Sequence, residues 1–396
     1  MKMKKVLAVL MALTLVVLCF AACGSSENEG AAGGSTTGEK TIKIGLSGPL
    51  TGNNAQYGIG VQNGAQLAVD EINAAGGING YTVELEMEDD ESDPEKAANA
   101  YANLMDWGMQ ISLGTVTSGA CVSFQGRAKE DNMFLLTPSA TAVDAIEGDN
   151  AFRVCFSDPQ QGVEAADYIS ENSLASKVAI IYDASDTYSS GIRDSFSAEA
   201  QAKGLQIVAD ESFTADSNTD FSAQIQSVKS SGAELVFLPI YYTEASKIIQ
   251  QANTAGLDVQ WFGCDGLDGL LRIENFDYSL VEGVMLLTPF TPNATDENTQ
   301  NFVKAYEAKY PDQASTLNQF AADAYDAVYI IKQACEQAGV TPDMSVSDTC
   351  EALKAAITSI TYTGVTGKGI TWGPDGEPQK PPIVVRIENG AYTVLQ

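Results

Sequence analysis

Histidine, the commonest catalytic side chain, is missing from all 396 residues. Its absence excludes Ser-His-Asp and Cys-His catalysis and histidine metal sites. Carboxylate, lysine, tyrosine and Ser-Lys chemistry remain open. Asp89, Asp90, Glu91 and Asp93 cluster after a predicted strand and could hold a cation; the plainer reading is a solvated loop. Ser118 follows Gly114-Thr115-Val116-Thr117 and opens a predicted helix. Its hydroxyl and the neighbouring N–H groups can hold a carboxylate at the positive end of that helix, or the serine can be a simple N-cap. Asp265 stands at the end of a predicted strand, after Trp261-Phe262-Gly263-Cys264. No nucleophile and base come together, so these residues read as a binding set. The expectation is no enzyme, no cofactor and no metal.

The seven cysteines are Cys19, Cys23, Cys121, Cys155, Cys264, Cys335 and Cys350, with no CxxC pair. Zinc ribbons and thioredoxin-like redox chemistry are therefore not expected. Five lie beyond residue 23, so a monomer keeps at least one free thiol; Cys335 and Cys350 could pair across two helices. Asp and Glu number 52 against 22 Lys and Arg, a formal charge of −30. Nucleic acid repels such a chain, and anionic lipid gives it no flat resting surface.

The elements that must position these residues begin after an address segment. Lys2, Lys4 and Lys5 precede an apolar run, Val6 to Phe20, that is short for a membrane span. With Ala21-Ala22-Cys23-Gly24 it reads as a signal peptide over 1–22. The end resembles a bacterial lipobox, which implies lipidation of Cys23. Residues 23–40 are small and polar, a flexible tether. From Thr41 strands and helices alternate. Strands are expected at 41–47, 82–88, 111–114, 133–137 and 152–156, with helices at 61–74, 94–107, 118–131 and 159–172. The rhythm restarts with strands at 177–182, 205–213, 234–240 and 259–262 and helices at 190–203, 221–230 and 243–255. Further strands at 284–288 and 383–388 and helices at 297–309, 318–338 and 347–359 complete the chain. Repeated β-α-β units imply parallel sheets flanked by helices, and two series imply two lobes. Ligands of such sheets bind beyond the carboxyl ends of the strands.

At those strand ends the chain resembles the branched-chain amino acid (Leu/Ile/Val) receptor family of ABC importers, with the periplasmic-binding-protein type I fold. The resemblance rests on Ile44–Gly58 (IGLSGPLTGNNAQYG), Ala68–Gly80 (AVDEINAAGGING), Asp89-Asp90 with Asp93-Pro94, Gly114–Ser118, Thr137–Ala142 (TPSATA), Ala255-Gly256-Leu257 and Gly263–Gly266 (GCDG). It covers about residues 41–390. It implies two doubly wound parallel-sheet α/β lobes joined by a three-strand hinge: 41–157 plus 290–377, and 158–289 plus 378–396. Crossings are expected near Ser157, Pro289 and Pro378. It also implies roles. Ser118 matches a carboxylate-binding serine. Ser139 would offer backbone groups and Thr141 a hydroxyl. Asp265 would pair the ligand ammonium. Tyr57, Tyr188 and Tyr241 would cover the ligand, and the loop at Asn53-Asn54 would set the pocket's size.

The implied function is an extracytoplasmic receptor, anchored to the cell membrane by its N-terminal lipid. It would be monomeric, bind a branched-chain or other hydrophobic amino acid, and serve permease and ATPase subunits. The alternatives are a ligand-sensing module for a signalling partner and a receptor for another small carboxylate.

Overall fold

The β-branched run after Lys40 forms β1 (Ile42–Gly48), with Ile42, Ile44 and Leu46 fully buried. The computed structural model describes residues 40–395; the segments expected to be a signal peptide and a tether, with Cys23, lie outside the described residues. Helix α1 (Ala55–Ala74) starts six residues before the expected Val61. Gly58 and Gly60 disguise its first turns, yet close packing requires small residues along this helix. A Cβ on Gly58 would lie 1.9 Å from the Pro49 carbonyl oxygen, and one on Gly64 2.0 Å from that of Ala321.

Then come β2 (Val83–Asp89) and α2 (Pro94–Trp107). Asp93 caps α2 by accepting from the N–H groups of Glu95 and Lys96, both at 2.9 Å. Gly108, at φ 96°, ends it. Next are β3 (Ile111–Ser112), α3 (Ser118–Glu130), β4 (Leu135–Thr137) and β5 (Ala151–Arg153). These strands form an all-parallel sheet in the order β2-β1-β3-β4-β5.

The second series is α4 (Asp158–Glu171), β6 (Lys177–Asp183), α5 (Thr187–Lys203), β7 (Gln206–Phe213), α6 (Ser222–Ser231), β8 (Leu235–Leu238), α7 (Tyr242–Thr254), β9 (Gln260–Gly263) and β10 (Met285–Thr288). The chain then supplies α8 (Glu297–Lys309), α9 (Gln319–Ala338) and α10 (Val346–Ile357). It finishes with β11 (Ile383–Glu388) and β12 (Ala391–Val394). The second sheet runs β12-β11-β10-β9-β8-β6-β7. It is parallel from β7 to β10, while β11 and β12 are antiparallel, a departure from a purely parallel lobe. The sequence reading missed β12. Asn389-Gly390, both at positive φ, turns it back on β11.

Burial follows the strand period of two. Val178 and Ile180 face Ile169, Ile192 and Phe196 beneath α4 and α5. Ala179 and Ile181 join the core on the opposite face with Ile225, Val228 and Ile248 of α6 and α7. Each fully buried large apolar side chain contributes roughly 1.5–3 kcal/mol. Helix α9 packs along α1, against the first sheet. Cys335 and Cys350 are both buried and free, so the pairing considered for them does not occur. Each is at home as a small apolar group in the core.

Candidate functional site

Loops at the carboxyl ends of both sheets meet around one small cavity. Tyr57, Ser118, Ser139, Thr141, Tyr188, Tyr241 and Asp265 all line it, and so do Val116, Thr117, Gly266 and Phe320.

On the first-sheet side, Thr117 is the N-cap residue of α3 and Ser118 its first residue, one place later than a capping serine. The Ser118 hydroxyl therefore serves the neighbouring loop. Its oxygen accepts from the N–H groups of Thr141 and Ala142, each at 3.1 Å, and lies 3.4 Å from Thr141 Oγ1. The first-turn N–H groups of α3 point toward the same place, which makes this corner electropositive. Ser139 turns its hydroxyl to the Val116 carbonyl at 2.9 Å, leaving its backbone toward the cavity wall.

Arg153 on β5 fixes this loop. Fully buried, it donates to the carbonyls of Ala140 (3.0 Å) and Ala142 (2.9 Å). Its Nε lies 3.2 Å from Glu377, close enough for an ion pair but off-line for a hydrogen bond. Nearby, Lys380 joins the chain entering β11 to the first lobe. Its ammonium donates to Asp323 and Thr366, both at 2.8 Å, and to the Val154 carbonyl at 3.2 Å.

The second-sheet side is acidic and aromatic. Asp265 accepts from the Tyr188 hydroxyl at 2.7 Å, and Gln161 accepts its backbone N–H at 3.0 Å. Burial raises the Asp265 carboxyl to about 7, despite the Tyr188 hydrogen bond. Asp158, 1% exposed at the start of α4, has no hydrogen-bond partner at either carboxylate oxygen. Burial drives its pKa well above the ordinary carboxylate range. The buried Asp265 carboxylate, held by one tyrosine hydroxyl, makes this corner a receiver for a cation. Tyr188 and Tyr241 stack at 4.8 Å, and Tyr57 packs on Phe320 at 4.1 Å. Gly266 admits the Tyr188 ring: a Cβ there would lie 2.7 Å from its hydroxyl.

Side chains from both halves seal the cavity. The Tyr57 hydroxyl donates to the Gly266 carbonyl at 2.5 Å and accepts from the Tyr242 N–H at 3.2 Å. Tyr242 donates to the Asn53 carbonyl at 2.7 Å. Helix α7 begins at Tyr242 and carries its ring across the cleft. Gln319 at the start of α9 donates from its backbone to Asp268 (2.7 Å) and from its side chain to the Asp265 carbonyl (2.8 Å).

Asp158, Arg153, Gln319 and Phe320 escaped the sequence reading. Ser157-Asp158-Pro159 carried only a helix-start signal, and Gln319-Phe320 only helix periodicity. Asp89 and Asp90 form no ion site. Asp90 holds Ser47 Oγ (2.7 Å) and its own loop, and Asp89 holds Leu50 and Thr51. Among the described residues no group of acids or cysteines is arranged to hold a metal.

The profile of the periplasmic binding protein family matches residues 41–391. A Leu/Ile/Val-binding protein homolog from Brucella melitensis is 33% identical over 333 residues, 81% of this chain and 87% of that protein. A leucine-, isoleucine-, valine-, threonine- and alanine-binding protein from Pseudomonas aeruginosa is 32% identical over 319 residues, 80% and 82%. A branched-chain amino acid transporter substrate-binding protein from Streptococcus pneumoniae, solved in complex with isoleucine, superposes with a TM-score of 0.80. It is 32% identical, covering 90% of this chain and 99% of that one.

Proposed function

The chain belongs to the periplasmic binding protein family, and from that premise we propose that it carries a hydrophobic amino acid, of the branched-chain class, to an ABC importer. Members of this family that serve ABC importers are extracytoplasmic receptors, not enzymes, and they work with membrane permease and ATPase subunits. The observation that carries the ligand class is the polarity of the sealed cavity. One corner is a helix N-terminus with hydroxyls, another holds the buried acid Asp265 against Tyr188, and aromatic rings line the wall. A zwitterion with an apolar side chain matches that order.

The ligand carboxylate sits at Ser118, Thr141 and the backbone near Ser139. Its ammonium faces Asp265. Tyr57, Tyr188, Tyr241 and Phe320 enclose the side chain. Hydrogen bonds to charged groups contribute about 1.5–3 kcal/mol each, and a closed site must satisfy both ends because an unpaired buried charge is costly. The first lobe binds first through Ser118 and Thr141. Closure then adds Asp265, Tyr188 and Tyr241, and the ligand favours closure only by what those added contacts contribute.

The connections near 157, 289 and 378 act as the hinge, dividing the lobes at 41–157 plus 290–377 and 158–289 plus 378–396. Cys23 carries the lipid, and residues 23–40 tether a monomeric receptor outside the membrane. A thermal-shift screen against the twenty amino acids and small carboxylates tests the ligand class. A ligand at 100 times its Kd stabilises the fold by about 2.7 kcal/mol. Shifts confined to aliphatic amino acids support the reading; shifts only with carboxylates that lack an amine sink it.

A further inference from the structure

Beyond the tyrosines lies a second chamber, about 620 Å³ including its mouth. Thr117 and Tyr241 line both it and the inner cavity. Asp183, Asp186 and Glu244 stand on its walls, with Asn54 opposite. Hydrogen bonds from Ser185 to Asp183 and from Ser189 to Asp186 engage one oxygen of each acid. Glu244 already pairs with Lys247 at 3.6 Å and accepts from the Asn218 amide at 3.3 Å, whereas among the described residues Asp183 and Asp186 form no ion pair. Burial raises Asp186 to about 6 and moves Glu244 upward too, the latter against the pull of Lys247.

Two buried atoms of the chamber's lining residues point to a ligand independently of the acids. Thr117 Oγ1 and Asn54 Oδ1 belong to side chains 5% and 9% exposed, and neither has a hydrogen-bond partner. The Tyr241 hydroxyl, at the boundary, has none either. Its ring is stacked on Tyr188, so shifting it breaks no hydrogen bond. The acids are not arranged to share a metal ion, but an extended organic cation can meet them one by one.

We propose that the cleft also accepts amino acids with a long cationic side chain, whose head group occupies the inner cavity while the side-chain cation sits in the chamber against Asp186 and Glu244. This rests on the amino-acid reading given above. The methylene stem lies along the Tyr241 ring, as long basic side chains bury their stems and keep their heads in polar surroundings. Thr117 Oγ1 and Asn54 Oδ1 accept its N–H groups.

The test is calorimetric titration of the full chain, stripped by unfolding and refolding, with L-arginine, L-lysine and L-leucine. The same titrations are run on Glu244→Gln and Asp186→Asn, whose thermal melts report folding; Asn can still cap α5 at position 186. The expected result is saturable L-arginine or L-lysine binding that competes with L-leucine. In either variant the affinity for the basic amino acid falls at least tenfold relative to that for L-leucine. L-leucine binding with no basic amino acid binding at a hundred times the leucine Kd overturns this inference alone. So does an unchanged affinity ratio in both variants. Binding of none of the three overturns the amino-acid reading with it.

Discussion

Asp265 sets a pH dependence whose size follows from its surroundings. Burial brings its carboxyl to about 7 in the ligand-free protein, and repulsion from Asp323 adds to the shift. An incoming ammonium needs the ionised form, so binding expels a proton wherever Asp265 is still protonated. Below pH 7 the dissociation constant should rise about tenfold per unit. Between pH 8 and pH 5.5 the loss is about thirtyfold, or about 2 kcal/mol. Tyr188, Asp158 and Asp323 share the electrostatics of this corner. Calorimetry with leucine in two buffers of different ionisation enthalpy measures both the affinity and the proton count. Near pH 6 it should show proton release on binding. Asp265→Asn should bind more weakly and flatten the profile. Affinity that is constant from pH 5.5 to 8, or stronger in acid, would refute the assignment of Asp265 to the ammonium.

Ser118→Ala removes a donor to the ligand carboxylate and an acceptor for two loop N–H groups. It should cost about 1.5–3 kcal/mol of binding, read as a ten- to hundredfold rise in Kd. Arg153→Leu leaves the carbonyls of Ala140 and Ala142 without donors and strands Glu377. A loss of about 3–5 kcal/mol in urea unfolding is expected, and an unchanged midpoint would show that the clamp is idle. Stability without ligand should fall as pH rises from about 4 to 7. Asp90, Asp186 and Asp323 are held at about 6 and Asp265 at about 7 when folded, against roughly 4 unfolded, so the folded state binds more protons in that window. The melting temperature should be higher at pH 5 than at pH 7, and the reverse order would contradict these burials. Gly64→Val forces a side chain against the Ala321 carbonyl. Overpacking between α1 and α9 should cost about 1–3 kcal/mol, checked by thermal melting.

How legible the fold was depended on local chemistry. Helices 94–107 and 297–309 could be bounded to the residue because Asp93-Pro94 with Gly108, and Asp296 before Glu297, mark their ends locally. The start of α1 was hidden because Gly58 and Gly60 answer to Pro49 and to Thr316 and Asn318, the latter pair far along the chain. Strand β12 was missed although Asn389-Gly390 announces its turn. In the cleft, strand-end loops drew attention to seven residues that the structure gathers around one cavity. Asp158 and Phe320 reach the same region from helix starts, where acids and aromatics are ordinary. Only tertiary packing reveals that the Asp158 carboxylate lacks partners.

The central claim is that both ends of a zwitterion are held, the carboxylate at α3 and the ammonium at Asp265. Calorimetric titration with L-leucine, its deaminated analogue 4-methylpentanoate and leucinamide tests it directly. L-leucine should bind, and each analogue should lose at least a hundredfold, because closing the cleft on either leaves a charged or electropositive corner unpaired, a cost of several kcal/mol. Binding of 4-methylpentanoate as tight as that of leucine would contradict the account.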